Sequence, residues 1–479
     1  MLVLSVAQRI LSFVSQILLA RLLAPDDFGL IGLALTVTAV VGAVTGFGLE
    51  DVLVQRHHRV QAWSGSAFAL SLGVSVASGL LILVAAPIAA KAYHAEALLP
   101  MLAILALTPT MGALSTVPAA VLRIRMRFRL LAVLLAGEVV VVSLATVVLA
   151  WSGFGAFSFV VPLPLVALLR ALVYWRAAPV RLGPISLRQA KGLLSRGLSV
   201  LGHRLVTTVV AQSQFMVLGL LTTPAVVGLY YFAQRLSIQP LNLLAGNISV
   251  ILFPVLSGIR SDAGRQRQIL LRLMEALNYM VMPACFLLAA LAEYIVPPIF
   301  GAKWKEAIPL LSLLSIGAAF DAAAWQVGAY LNARGDFRRT FLYTLAVAPF
   351  FLLLLAAGAL TGSATGVALG VAAYYVLGSP LFSYLALRSH NVSAWDVIKL
   401  YGRPALVSGG CIALAAVAGR APLWGESVLL RVLVVCTVAA VAYPPLLRLA
   451  APSVYGELKS RLLDRLASRL AARAPGTAP

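Results

Sequence analysis

The sequence predicts an all-α polytopic membrane protein with fourteen transmembrane helices, and three observations carry that prediction. Of its 479 residues 61% are hydrophobic and 11% charged, with a mean hydropathy of +0.97, whereas a soluble domain carries about 25% charged residues. The apolar residues gather into long runs. Crossing the hydrocarbon takes ~20 such residues per helix, because no water is present there to satisfy a bare peptide group. Finally, positive charge in the gaps between runs alternates from rich to poor.

In chain order the expected spans are residues 2–22, 28–48, 65–88, 98–120, 130–150, 155–175, 198–221, 225–256, 272–299, 307–331, 341–360, 364–386, 404–419 and 428–447. Gaps after even-numbered spans, together with the C-terminal tail, hold 27 of the 37 basic residues. Gaps after odd-numbered spans hold four, Lys91, Lys303, Lys305 and Arg420. Basic loops stay cytoplasmic, so both termini are expected inside. One miscounted helix would invert every later gap, and no inversion occurs. The formal charge of +21 therefore reads as topology and contact with anionic lipid, with no nucleic-acid partner.

Composition also excludes several function classes. Cys285, Cys411 and Cys436 fall inside apolar spans, far apart in sequence, and read as buried structural thiols with no metal-ligand spacing. The chain has no Gly-Lys pair, hence no phosphate-binding loop for ATP. The longest loop, about residues 176–197, is basic and lacks any acid, so no catalytic domain is expected and the protein reads as a non-enzyme. The first span lacks a basic leader and runs straight on as helix one, so it is not expected to be a cleaved signal.

Two stretches echo each other. Residues 20–34 read ARLLAPDDFGLIGLA and residues 219–233 read GLLTTPAVVGLYYFA, matching at Leu22/Leu221, Pro25/Pro224, Gly29/Gly228, Leu30/Leu229 and Ala34/Ala233. A Pro that ends one helix with a Gly four residues on describes the same tight outer turn twice. A second echo sets Arg125, Phe128 and Arg129 against Arg334, Phe337 and Arg338. Spans one and seven run the same way, which predicts two parallel six-helix repeats framing a substrate path, with spans thirteen and fourteen left over. The expected organisation is an N-terminal lobe, 1–176; a basic cytoplasmic linker, 177–197; a second lobe, 198–388; two added helices, 389–449; and a basic amphipathic tail, 450–479, on the inner membrane surface.

The run LLARLLAPDDFGL at residues 18–30 resembles the first signature of bacterial polysaccharide flippases. These form the oligosaccharide-exporting branch of a superfamily that also holds multidrug and lipid II exporters. FGLEDVLVQR at 47–56 resembles the end of their second helix, and VGLYYFAQRL at 227–236, followed by Pro240, resembles their eighth. The resemblance implies a V-shaped transporter in the bacterial inner membrane. It would move undecaprenyl-pyrophosphate-linked oligosaccharides to the outer leaflet by alternating access, for exopolysaccharide, capsule or O-antigen synthesis. A polysaccharide polymerase and a chain-length regulator are the partners such a role implies. Relatives often carry a basic segment before helix one, where this chain starts almost inside the membrane. An exporter of small amphipathic drugs or another lipid precursor on the same fold is the competing reading.

Six basic residues fall within spans, and all are Arg: Arg9, Arg21, Arg170, Arg204, Arg235 and Arg431. A charge at mid-bilayer costs at least ~2.5–3.5 kcal/mol, so an embedded Arg faces a watery cavity or has a partner. Its planar fork grips a pyrophosphate and stays charged. Arg235 is the leading candidate, because Pro240 is expected to kink its helix and Gln239, Asn242 and Asn247 lie on nearby turns. Arg9, beside Gln8 and Gln16, comes second. Arg204 and Arg170 lie near cytoplasmic ends, where snorkelling competes with ligand binding. Arg21 stands next to Asp26 and Asp27, where a surface pair or a gate competes with a ligand role.

Among the acids, Asp321 is nearest mid-depth, with Trp325 and Gln326 following. It suits a coupling ion (H+ or Na+, with no other cofactor) or a sugar hydroxyl, and a static pair with an embedded Arg is the alternative. Glu138 has the same two readings. Glu50 and Asp51 end helix two and suit a cytoplasmic gate or cap network. Gly362, Gly366 and Gly370 read as a packing face on helix twelve.

Overall fold

The computed structural model describes residues 2–45, 50, 53–54, 60–246, 248, 252, 256, 258–259, 262–334, 336–421, 427–456 and 459–460. Among these residues the chain is helical, without a strand. The helices are α1 Leu2–Leu22, α2 Pro25–Thr45, α3 Val60–Ala92, α4 Leu98–Leu105, α5 Leu107–Ala113, α6 Thr116–Ile124, α7 Phe128–Trp151, α8 Phe157–Val160, α9 Pro162–Ala177 and α10 Leu187–Leu221. There follow α11 Pro224–Ser237, α12 Gln239–Leu244, α13 Ala263–Phe300, α14 Ala307–Ala319, α15 Asp321–Ala333, α16 Phe337–Ala359, α17 Ala364–Leu387, α18 Ala394–Gly419 and α19 Val428–Ala450. Ten helices among the described residues are long and apolar enough to cross a membrane, or twelve if each of two bent pairs is one span. The protein is therefore a multi-pass membrane protein.

Proline placement explains where the expected spans break. Pro162 opens α9 and splits it from α8, and Pro240 sits in the first turn of α12, where its missing N–H is no loss. The interruption at Ile238 is the break expected beside Arg235. The fourth expected span divides into α4, α5 and α6, with a 41° bend before Thr116. The tenth, expected as one helix, breaks at Phe320 and bends by 41°. That break has no proline, and it places Asp321 at the first position of α15 instead of within a continuous helix. α10 starts at Leu187, well before the apolar run, so helix occupies much of the stretch read as linker.

Contacts divide the chain into two compact units: Met1–Phe232 with Pro297–Ala307 and Phe351–Val367, and Ala233–Val296 with Ile308–Phe350 and Ala368–Pro479. The first unit holds a core of Leu53, Ala67, Val117, Ala120 and Leu193, extended by Leu122, Tyr174 and Ala178. Its 178–186 stretch lies along α3, where the Ser64 hydroxyl accepts the Gly183 N–H at 3.0 Å and the Ser66 hydroxyl accepts the Ser186 N–H at 2.8 Å. The second unit holds a larger core built on α13, α15 and α18, including Met274, Met282, Tyr330 and Tyr401. Leu353, Leu360, Leu406, Leu414 and Val441 point outward, as helices bathed in lipid require. Cys285 and Cys411 are buried and unbridged as expected, while Cys436 is only half-buried.

The expected glycine face needs one correction. Gly362 lies before α17, in the turn from α16, with φ +64°. Such a left-handed turn is open to glycine at no steric cost. Gly366 does lie on the packing face, against the Gly358 carbonyl of α16.

Candidate functional site

The two echoing turns meet. Pro25 opens α2 and Pro224 opens α11, each as a first helical residue that has no use for an N–H. A Cβ on Gly29 would fall 1.8 Å from the Pro224 carbonyl oxygen, and one on Gly228 would fall 1.8 Å from the Pro25 carbonyl oxygen. Each glycine thus admits the other turn's backbone, and the two approaches are reciprocal. The second echo also folds alike: the Arg127 N–H reaches the Leu122 carbonyl at 3.1 Å, and the Asp336 N–H reaches the Leu331 carbonyl at 3.0 Å.

Beside these turns, α1 and α13 close each other's ends. The last carbonyls of a helix lack internal partners and attract cations. Arg21, near the end of α1, donates through Nε to Ile299 at 2.8 Å and through Nη2 to Pro298 at 2.6 Å, both in the last turn of α13. Lys303, just past α13, donates to the Arg21 and Leu23 carbonyls at 2.9 and 2.6 Å, and Trp304 Nε1 donates to Ala20 at 2.9 Å. Burial pushes the Lys303 ammonium below its ordinary value, with Asp27 pulling the other way. The Asp27 carboxylate caps backbone instead of meeting Arg21, accepting the Ala24 and Ala156 N–H groups at 2.9 and 3.0 Å. Behind the caps, Trp304 stacks on Phe232 at 4.2 Å and meets Phe28 edge-on at 5.0 Å. Arg21 thus has backbone carbonyls as its partners.

The embedded acids are treated differently from one another. Glu138 on α7 takes Arg170 Nη1 at 3.1 Å from α9, and Glu50 takes Arg123 Nε at 3.0 Å. Asp321 forms no ion pair among the described residues. Its carboxylate accepts Trp325 Nε1 at 2.7 Å, one turn along α15, and Ser379 Oγ at 3.4 Å from α17. Tyr374, Tyr375 and Tyr401 lie within reach of its charge, and Tyr401 shares a 2.8 Å bond with Ser383, one turn beyond Ser379. The start of a helix favours a negative charge, and an apolar setting with only neutral donors opposes it. A carboxylate held between those effects can exchange a proton or a cation.

The expected anion-binding group clusters around the break at Ile238. Arg235 is half-buried in the last turn of α11, Gln239 opens α12 exposed, and Asn242 follows one turn on. Arg235 and Asn242 each already have an interaction within the protein. Arg204 is exposed on α10. Asn247, Asp51 and the side chain of Arg9 lie outside the described residues, as do residues 461–479 of the expected tail. Sequence reading missed the buried polar layer of α2, α10 and α11, where Thr36 meets Gln212 at 3.2 Å and Tyr230 donates to Gln214 at 2.7 Å. Isolated polar residues in apolar runs were the available signal. It also read Lys303 as an ordinary loop charge.

The chain is similar to several known proteins. The chain is 27% identical over 356 residues, 74% of its length and 72% of the relative's, to the succinoglycan biosynthesis transport protein ExoT of Rhizobium meliloti (strain 1021). It is 22% identical over 407 residues, 80% of each chain, to the lipopolysaccharide biosynthesis protein WzxC of Escherichia coli (strain K12). Its fold is similar to that of the lipid II flippase MurJ in an inward closed conformation, with a TM-score of 0.75 at 14% identity over 93% of this chain and 98% of that one. It is also similar to an inward-facing multidrug resistance MATE family transporter, with a TM-score of 0.63 at 15% identity over 81% of this chain and 96% of that one. Residues 18–309, spanning the reciprocal turns and the mutually capped helix ends, match the polysaccharide biosynthesis protein family, and the chain belongs to that family.

Proposed function

We propose that this protein is a flippase that carries undecaprenyl-pyrophosphate-linked oligosaccharide from the inner to the outer leaflet of the bacterial inner membrane by alternating access. It has fourteen spans in two six-helix repeats plus two, and both termini are cytoplasmic. The observation that carries the reading is the reciprocal seating of Gly29 on Pro224 and Gly228 on Pro25, at the end that the charge pattern assigns to the outside. Two related turns that seal one end form a gate, and a gate at one end of a repeat pair is what alternating access requires. The relatives' named roles in succinoglycan and lipopolysaccharide biosynthesis supply the substrate class. Arg235, with Gln239 and Asn242, binds the pyrophosphate; Arg9, Arg204 and Asn247 assist. Asp321 carries the coupling ion. The substrate is handed from the glycosyltransferases that build it to the polymerase and chain-length regulator that extend it.

Reconstituted protein should move a lipid-linked oligosaccharide across vesicles, and a strain lacking the gene should lose polymer export. Transport of small cationic drugs alone would favour the multidrug reading instead. Arg235→Ala should abolish export without lowering the protein's abundance, and Arg235→Lys should restore only part, since an ammonium keeps the charge and loses the fork. Normal export by the Ala variant would move the anion site elsewhere. Gly29→Ala sets a methyl 1.8 Å from the Pro224 oxygen, so accessibility labelling should find the outer face open. An unchanged labelling pattern would remove the gate.

A further inference from the structure

We propose that the cleft between the N-terminal ends of α13 and α18 is a binding site for the phosphodiester headgroup of an anionic phospholipid. It is a cavity of about 630 Å³ whose walls carry Arg267 and Arg272 from α13 and Lys399 and Arg403 from α18. Two carboxylates share it, Glu275 and Asp396. Asp396 is already spent as the cap of α18, accepting the Ser393 N–H at 3.1 Å and hydroxyl at 2.7 Å. Arg267 is likewise engaged, donating to the His390 carbonyl at 2.9 Å.

Arg272 and Arg403 differ. Both are exposed, and neither forms a hydrogen bond or ion pair among the described residues. Four cations against two acids leave the cleft positive, with two forks presented to whatever enters. The Lys399 ammonium is steadied 5.4 Å from the Trp395 ring centroid. A guanidinium fork matches the geometry of a phosphate anion.

The rim says which phosphate. Trp395, Ile398 and Leu406 on α18 are 62, 54 and 78% exposed. Trp395, Lys399, Arg403 and Leu406 recur at helical spacing on one face. An exposed indole beside basic residues, followed by bare aliphatic surface, is the profile of a helix crossing from headgroups into acyl chains. A soluble anion would have no use for that surface, and a phospholipid occupies both parts. The cleft lies wholly within the second unit and shares no residue with the Asp321 group or the break at Ile238, so it serves to seat the protein in anionic membrane and not to carry cargo.

The full chain in phosphatidylcholine nanodiscs, with and without phosphatidylglycerol, tests this by native mass spectrometry. Arg272→Gln/Arg403→Gln should lower retained phosphatidylglycerol several-fold, while Arg127→Gln/Arg129→Gln, an equal charge change on exposed residues of the first unit that do not line the cleft, should not. Brominated phosphatidylglycerol should quench Trp395, read as the difference from Trp395→Phe, and the cleft variant should abolish that quenching. Equal loss in both variants, no loss in either, or quenching indifferent to Arg272 and Arg403 would overturn the site. Displacement of phosphatidylglycerol by inorganic pyrophosphate at equal concentration would overturn the phospholipid assignment and make the cleft a station for the cargo's own headgroup.

Discussion

Two carboxylates set within apolar helices meet opposite fates here. Glu138 on α7 has a guanidinium at 3.1 Å; Asp321 on α15 has an indole N–H and a serine hydroxyl. An acid held by a permanent cation is committed to that partner, because losing one member of the pair strands the other. An acid held by neutral donors is supported in either protonation state, since Ser379 can donate to it or accept from it. The first arrangement fixes helices against each other. The second leaves the acid with neutral donors and no ion pair among the described residues.

The largest effect should come from Asp321→Asn. It keeps the shape and the Trp325 and Ser379 contacts but removes the titration, so ion-coupled transport should fall to background while the amount and thermal stability of the protein stay near wild type. Transport at the wild-type rate would make Asp321 a structural residue like Glu138 and erase the contrast.

Glu138→Gln is expected to act the other way round, on stability more than on rate. Gln keeps an acceptor oxygen for Arg170 but leaves its charge uncompensated, a cost tempered at a pair that is 30% and 24% exposed, so thermal unfolding in detergent should come earlier. Glu138→Gln/Arg170→Gln, which leaves no orphaned charge, should recover much of that loss. A double variant no better than the single would mean that the pair is not what fixes α7 to α9.

The smallest effect belongs to Trp325→Phe. It removes the 2.7 Å donor to Asp321 while keeping an aromatic ring on a surface that is 39% exposed. Transport should change a few-fold and its pH profile should move, with expression unaltered. A flat response at every pH would assign the control of Asp321 to Ser379 alone.

The contrast itself was only half legible. Glu138 and Arg170 lie on different helices, 32 positions apart, and nothing in their local sequence pairs them; snorkelling was an equally sound account of Arg170. Asp321 stood out as the acid nearest mid-span, and Trp325 four residues on was visible at helical spacing. That it begins a helix was not visible, because the break at Phe320 carries no proline. The Arg21 site shows the same limit: Asp26 and Asp27 were its evident partners by proximity, and backbone carbonyls nearly three hundred positions away took their place.

By itself the sequence determined the all-helical membrane class, the presence of at least ten membrane-length apolar helices and the two echoing turns. Each of these rests on local chemistry: apolar length against the thickness of hydrocarbon, a proline's missing N–H, a glycine's missing Cβ. Tertiary structure alone decided that the echoing turns seat on one another, that Lys303 and Arg21 close each other's helix ends, and that one embedded acid meets a guanidinium and the other an indole and a hydroxyl. Those outcomes depend on which groups from distant parts of the chain arrive within 3 Å. A buried charge or an orphaned carbonyl accepts whichever partner the packing delivers, and the sequence records the need without the address.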